Sequence, residues 1–337
     1  MKTLSLRKAT LGLLAGAAVL APLAVHGEGH ESDGTLTVIR GGTIYDGASM
    51  SPVTGDVVLR GDAIVYVGPA RAVPEGARVV DATGKIVAPG FIDPHTHAQR
   101  FLESAGGEGR LNLPWLMQGV TTIFTGVDGG GTSEVKAFLD DVEARTFGTN
   151  VAAYVGFGPV RRAVLENDAR APTGEELERM QALVAKGMCE GALGLSAGLF
   201  YAPQSFSKTG EVTALAREAA KRGGIYDTHQ RDEATYTIGI EKSVEEAITI
   251  GREAGLPVHF AHIKVLGVDV HGTSGAIIAQ IEKARAQARR GASNDPLQQV
   301  REVDGVKVVA VRVDDASPRE LRAMIDELKQ RLGSGVV

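Results

Sequence analysis

"PGFIDPHTH", residues 89–97, is the stretch from which the rest of the chain is read. A proline-glycine turn leads into the short apolar run Phe91-Ile92-Asp93, and two histidines follow one residue apart. At i and i+2 on an extended backbone two side chains point to the same side, so His95 and His97 can converge on one ion. In a chain with eight histidines such a doublet arises readily by chance, so its meaning depends on its surroundings.

Towards the C-terminus, apolar strands alternate with longer amphipathic segments. The strands are read at 91–93, 121–125, 151–155, 192–196, 224–229 and 258–262, with helices between them such as "TGEELERMQALVAKG" and "KSVEEAITIGREAG". That alternation implies a parallel sheet covered by helices. No glycine-rich phosphate loop follows the first strand, so the α/β class is read as a TIM-type (β/α)8 barrel rather than a doubly wound sheet. Six βα units leave it two units incomplete. Towards the N-terminus, residues 36–68 hold short β-rich runs broken by Gly-Gly, Asp-Gly and Gly-Asp, which imply antiparallel strands and hairpins. A further strand in "ARVVDATGKIVAPG" leads into the opening motif. This is the N-terminal part of a small β-sandwich over residues 28–90, ahead of a barrel over 91–290.

In a parallel barrel the chemistry sits at the carboxyl ends of the strands. His95 and His97 follow strand one, His229 ends strand five in "GIYDTH", and His262 ends strand six in "VHFAHIK". Three strand ends carrying neutral imidazoles match the ligands zinc favours, although any one of them alone reads more often as a hydrogen-bonded structural histidine. Strand two ends in "TTIFTGVDGGG", which brings Asp128 to the same face. There it either bridges two ions about 3.5–4 Å apart or caps a turn, as Asp-Gly commonly does. His259 has opposite parity to His262 and is expected to face the helical layer. His26, His30 and His271 lie in polar or terminal stretches and are assigned no metal.

The first 27 residues combine Lys2, Arg7 and Lys8 with an apolar run from Leu11 to Val25, the pattern of a secretory signal peptide, and the run is short for a membrane span of about 20 residues. The expected mature protein is periplasmic and not membrane-bound. It would carry 33 basic against 41 acidic residues, a net −8, which argues against nucleic acid as a partner. The single cysteine, Cys189, excludes an internal disulfide, so stability must come from the core or from metal.

The stretches "GGTIYDG", "APGFIDPHTH", "LMQGVTT", "GALGLSAGLFYAP", "THQRDE" and "HIK" in this order resemble the N-acyl-D-amino-acid deacylases of the amidohydrolase superfamily, over residues 36 to about 287. The resemblance implies that His95, His97, His229 and His262 ligate one or two zinc ions. It also places Asp128 where better-known members carry a cysteine ligand, and Tyr201 and Lys264 where the family contacts its substrate. The implied substrate is a small N-acyl amino acid, whose free carboxylate Lys264 would pair, and the implied reaction is hydrolysis of its amide. Read from the residues alone, Lys264 is equally a solvated strand-end lysine and Tyr201 a packed loop aromatic. The family's base is an aspartate at the end of strand eight, which has no counterpart here. The catalytic base is therefore unassigned, and the alternative is an inactive metal-binding remnant.

Residues 291–337 form a tail of different origin. Its last part, 303–337, resembles the start of the C-terminal DHHA1-type domain of alanyl-tRNA synthetase. A strand is expected over Val306–Val313, then Ser317 as N-cap, Pro318 at the first helical position, and a helix with Leu321, Met324, Ile325 and Leu328 on one face. Asp314 and Asp315, after that strand, are the candidates for a substitute base.

Overall fold

The computed structural model describes residues 35–47, 51–103, 109–292, 300–303 and 306–308, together with Arg322, Ile325, Asp326, Leu328 and Lys329. The leader, the Ser317–Pro318 cap, Asp314 and Asp315 lie outside the described residues. Two compact units divide between Pro89 and Gly90.

The first unit is a five-stranded sheet. Strands β1 (Leu36–Ile44), β2 (Val53–Arg60) and β3 (Ala63–Gly68) pair antiparallel in succession. The further strand expected in "ARVVDATGKIVAPG" is two. It forms β4 (Arg78–Asp81) and β5 (Ile86–Val87), both parallel to β1. The break between β4 and β5 falls opposite an irregularity in β1 between Ile39 and Gly42, where Gly41 has φ +73°, a region open to glycine. Among the described residues this one sheet represents the expected sandwich.

In the second unit, parallel strands run in chain order. β6 (Phe91–Asp93), β7 (Val120–Thr125) and β8 (Asn150–Ala153) form one sheet. β9 (Val155–Gly156), β10 (Gly194–Gly198), β11 (Ile225–His229) and β12 (Val258–Phe260) form another. Because Tyr154 alone separates β8 from β9, the two sheets are consecutive segments of one curved wall of six βα units. Among the described residues the wall does not close, so the fold is an incomplete barrel.

Helices cover the wall's outside: α1 (Gln99–Glu103), α2 (Leu113–Leu116), α3 (Val135–Arg145), α4 (Phe157–Leu165), α5 (Gly174–Cys189), α6 (Thr209–Ala220), α7 (Ile240–Ala254) and α8 (Ser274–Ala292). Each longer one buries residues at helical spacing. α6 buries Val212, Leu215, Ala216 and Ala219, and α7 buries Ile240, Val244, Ala247 and Ile250. Together with Val155, Phe157, Met180, Val184, Leu195 and Tyr226 most of these form one core between helices and sheet. Burying a Leu or Ile side chain contributes roughly 1.5–3 kcal/mol, so this aliphatic layer fixes the strands that carry the site. β10, "GLSAG", is wholly buried and small because a Cβ at Gly194 would stand 2.2 Å from the Ile225 carbonyl oxygen of β11. The tail holds a short antiparallel pair, β13 (Arg301–Val303) and β14 (Val306–Val308), where one strand had been expected from Val306. Residues 322, 325, 326, 328 and 329 are helical, as the apolar spacing of the tail predicts.

Candidate metal centre

The carboxyl ends of β6, β7, β11 and β12 bring together every histidine and carboxylate singled out in the sequence as a ligand. Thr96 holds the first of these loops in place, its N–H and hydroxyl donating to the Phe124 carbonyl at 3.1 and 2.7 Å, while the Tyr154 hydroxyl donates to the Pro94 carbonyl at 3.2 Å. His95 and His97 then present their Nε2 atoms to the two oxygens of one carboxylate, Asp128 Oδ1 and Oδ2, each at 3.4 Å. Asp128 has φ +54°, a left-handed conformation that Asp adopts more readily than most residues. Its loop is fastened by neighbours on β10 and in the turn that follows it. Gln204 donates to the Asp128 carbonyl and accepts from the Gly198 N–H, and Gly129 N–H donates to Ser196 Oγ. A Cβ at Gly198 would lie 2.3 Å from the Asp128 carbonyl oxygen, so glycine there lets the loop approach.

On the other side, His229 and His262 stack edge to face with ring centroids 4.7 Å apart, and His262 stands 6.1 Å from His95. His229 is held by Nδ1, which donates to the Gln230 carbonyl at 3.1 Å, leaving Nε2 with its lone pair free to accept. That nitrogen now faces the Tyr201 hydroxyl at 2.9 Å. Lys264 Nζ stands 3.5 Å from Glu233 Oε2, at the rim of the same cluster. All seven residues named from sequence therefore lie in or beside one centre.

Three further residues belong to it and were not anticipated. His259 does not face the helical layer: its Nδ1 is 2.8 Å from Asp227 Oδ1, and its ring is 6.4 Å from that of His95. Counting parity back from His262 fails because β12 ends at Phe260 and the chain turns out of the strand before residue 262. Within the regular part, His259 is the Cα partner of Asp227, which shares a face of β11 with His229. Asp227 itself is fully buried, accepting from Ser196 Oγ at 2.8 Å as well as facing His259 and, at 3.3 Å, His95 Nδ1. An acidic residue inside a short buried strand, two before a candidate ligand, was the available signal. Glu233 lies in the loop "QRDE", part of a motif from which no ligand was read. It is 1% exposed, held by a turn in which the Asp232 carboxylate accepts from the N–H groups of Ala234, Thr237 and Gly239.

The charges follow from these contacts. Burial pulls the His95 imidazole down, but Asp227, Asp128 and Asp93 together raise it above the ordinary histidine range. Burial pushes Asp227 up, and His259, His95 and Ser196 outweigh it, keeping the carboxyl below the usual value. Glu233 is likewise lowered, burial being outweighed by His262, His229 and Lys264. His229 is lowered, chiefly by burial, and stays neutral as a metal ligand requires. Tyr201 is raised by burial and by the charges of Asp128 and Glu233, so its hydroxyl keeps its proton.

The donor set fits a divalent metal. Two ligands on one tetrahedral zinc stand about 3.3 Å apart, given bond lengths near 2.0–2.1 Å. The two 3.4 Å separations about Asp128 match that spacing better than they match hydrogen bonds. Asp128 Oδ1, Glu233 Oε1 and His262 Nδ1 are all buried without a hydrogen-bond partner. Orphaned buried groups of this kind are costly unless an ion satisfies them.

Aligned with a D-aminoacylase of Alcaligenes xylosoxydans xylosoxydans, the chain is 35% identical over 273 residues, 74% of its own length and 55% of that protein's. Over about three quarters of its length this chain is homologous to the D-aminoacylases. A crystal structure of D-aminoacylase, described as defining a novel subset of amidohydrolases, superposes with a TM-score of 0.66 at 34% identity, covering 74% of this chain and 56% of the other. The N-acyl-D-glutamate deacylase of Bordetella bronchiseptica, solved with zinc and a phosphonate inhibitor, gives 0.66 at 33% identity over the same shares. The chain thus spans about half the length of the D-aminoacylases it matches. A 58-residue stretch, 17% of the chain, is 43% identical to the alanine–tRNA ligase of Chromohalobacter salexigens, a partial likeness covering 7% of the ligase. No protein-family profile matches.

Proposed function

We propose that this chain carries the centre of a zinc-dependent deacylase that hydrolyses the amide bond of N-acyl-D-amino acids. The observation that carries the reading is the convergence of His95, His97, Asp128, His229 and His262 at the carboxyl ends of parallel strands, with buried carboxylate and imidazole atoms left without hydrogen bonds. The zinc-bound N-acyl-D-glutamate deacylase among its relatives supports it. These five residues would hold one or two zinc ions. When bound, zinc lowers the pKa of water and polarises an acyl carbonyl. The chain's own groups would orient the substrate: Lys264, about half exposed at the rim, pairs with the free carboxylate of an N-acyl amino acid, and the Tyr201 hydroxyl, protonated and aimed inward, donates a hydrogen bond to it. The partner is a small molecule rather than nucleic acid, in keeping with the acidic charge balance. The basic and apolar leader supports export to the periplasm, which N-terminal sequencing of protein recovered from that compartment tests.

A second reading, a centre that holds zinc without turnover, is favoured by one observation. Asp128, Asp227 and Glu233 each already face an imidazole, so none of them stands free to take a proton. Elemental analysis together with a D-amino acid release assay on N-acyl-D-amino acids separates the two. Zinc with release supports the deacylase, zinc without release supports the inert centre, and a folded protein free of zinc overturns both.

A further inference from the structure

We infer that Glu233 is a metal ligand, completing with His229 and His262 a three-ligand site separate from the His95–His97–Asp128 set. The inference rests on the zinc centre proposed above and adds to it a carboxylate that sequence reasoning passed over.

Three observations carry it. Glu233 Oε1 stands 3.0 Å from His262 Nδ1 and 3.8 Å from His229 Nε2, separations that bracket the roughly 3.3 Å expected of ligands sharing one tetrahedral zinc. Although His262 Nδ1 is within hydrogen-bond distance, the alignment is not that of a hydrogen bond, and both atoms are buried without any partner. Finally, a carboxylate 1% exposed is costly unless a cation compensates it, and the cation at hand, Lys264 at 3.5 Å, faces the other oxygen. Oε1 is therefore the oxygen that faces the two imidazoles alone, with no lysine or arginine beside it.

The division into two sets also accounts for Asp128. Its oxygens are taken up by His95 and His97 on one side of the cluster, so an aspartate can stand there without His229 and His262 losing their anionic ligand. Each set then has two imidazoles and one carboxylate, a neutral-plus-anionic donor group suited to zinc. Tyr201 lies over His229 Nε2 and must turn aside for the ion. It is 44% exposed, so it has room to shift off that nitrogen while its hydroxyl still faces the site.

The test is a zinc titration on a chain whose first set is disabled by His97→Asn and Asp128→Asn, with folding followed by circular dichroism. This parent is expected to bind one zinc, and adding Glu233→Gln should weaken it by more than about tenfold. An affinity unchanged by Glu233→Gln overturns the inference while leaving the centre itself standing. A parent that binds no zinc, where the unaltered chain does, overturns the division into two sets. An unaltered chain that binds none overturns the proposed function as well. Should Glu233→Gln fail to fold, infrared difference spectra of the parent decide the matter: zinc should shift carboxylate stretching bands, and their constancy overturns the inference.

Discussion

A carboxylate inside a strand of mostly apolar and small side chains, as Asp227 is in "IYDTH", is tolerated because two imidazoles and a hydroxyl surround it. By accepting from Nδ1 of His95, Asp227 selects the tautomer whose Nε2 lone pair points to the side of Asp128. It is thus a positioning residue, acting through the imidazole of a ligand rather than binding the ion itself. Asp227→Asn keeps the shape but loses the charge, and zinc affinity should fall about 10–100-fold with the fold intact, as a competition titration against a chromophoric chelator would read. At the rim, Lys264→Met should raise KM for an N-acyl-D-amino acid by about tenfold or more while changing kcat far less, since the lost bond is to the bound substrate's carboxylate in ground state and transition state alike. An unchanged KM would remove Lys264 from substrate binding.

At the scale of elements, α5 shows how local chemistry secures a helix that the core needs. Thr173 accepts from the Glu176 N–H, the Glu176 side chain accepts from the Thr173 N–H at 2.8 Å, and Arg170 pairs with the same carboxylate at 2.6 Å. Thr173→Ala should cost about 0.5–2 kcal/mol, measured by chemical denaturation. The Arg170 guanidinium, with the Thr173 contacts, holds Glu176 down at about 2, against its usual 4.5. A carboxyl depressed in the folded state stabilises it fully above pH 4.5, and the contribution is lost as pH falls towards about 2. Glu176→Gln should therefore be less stable than the unaltered chain at pH 7 and show a shallower loss of stability between pH 4.5 and 2. Equal slopes would refute the assignment. This capping box, like the alternation of strands and helices, is legible in sequence because it depends on residues three or four apart. Strand ends are less legible: β12 stops at Phe260 for reasons of tertiary path, and with that stop the parity argument for His259 fails. The same limit hid Glu233, whose burial is created by the turn around Asp232 and not by any apolar pattern in the sequence.

At the scale of the whole molecule, six βα units produce a wall with two ends. Among the described residues β6 pairs only with β7 and β12 only with β11, so each presents a row of backbone groups without a strand partner there, and β6 also exposes Phe91 and Ile92, 64% and 63% accessible. Closing a barrel removes such edges, and an open one offers them to any other strand. Neither edge strand is long, three residues each, and β12 is regular for only that span, which limits how tightly a second chain could pair there. The apolar surface near the edges remains, so the chain by itself is expected to self-associate. Size-exclusion chromatography should show species above the monomer that grow with concentration. The thermal transition should be broad or lie below the roughly 45–65 °C usual for mesophilic domains. Zinc at saturating concentration should raise it, because ions bound only by the folded state fasten the loop after β6 to that after β7 and the loop after β11 to that after β12. A monomer with a sharp transition above that range, unchanged by zinc, would mean that the wall is closed by other means and that its metal contributes nothing to holding it.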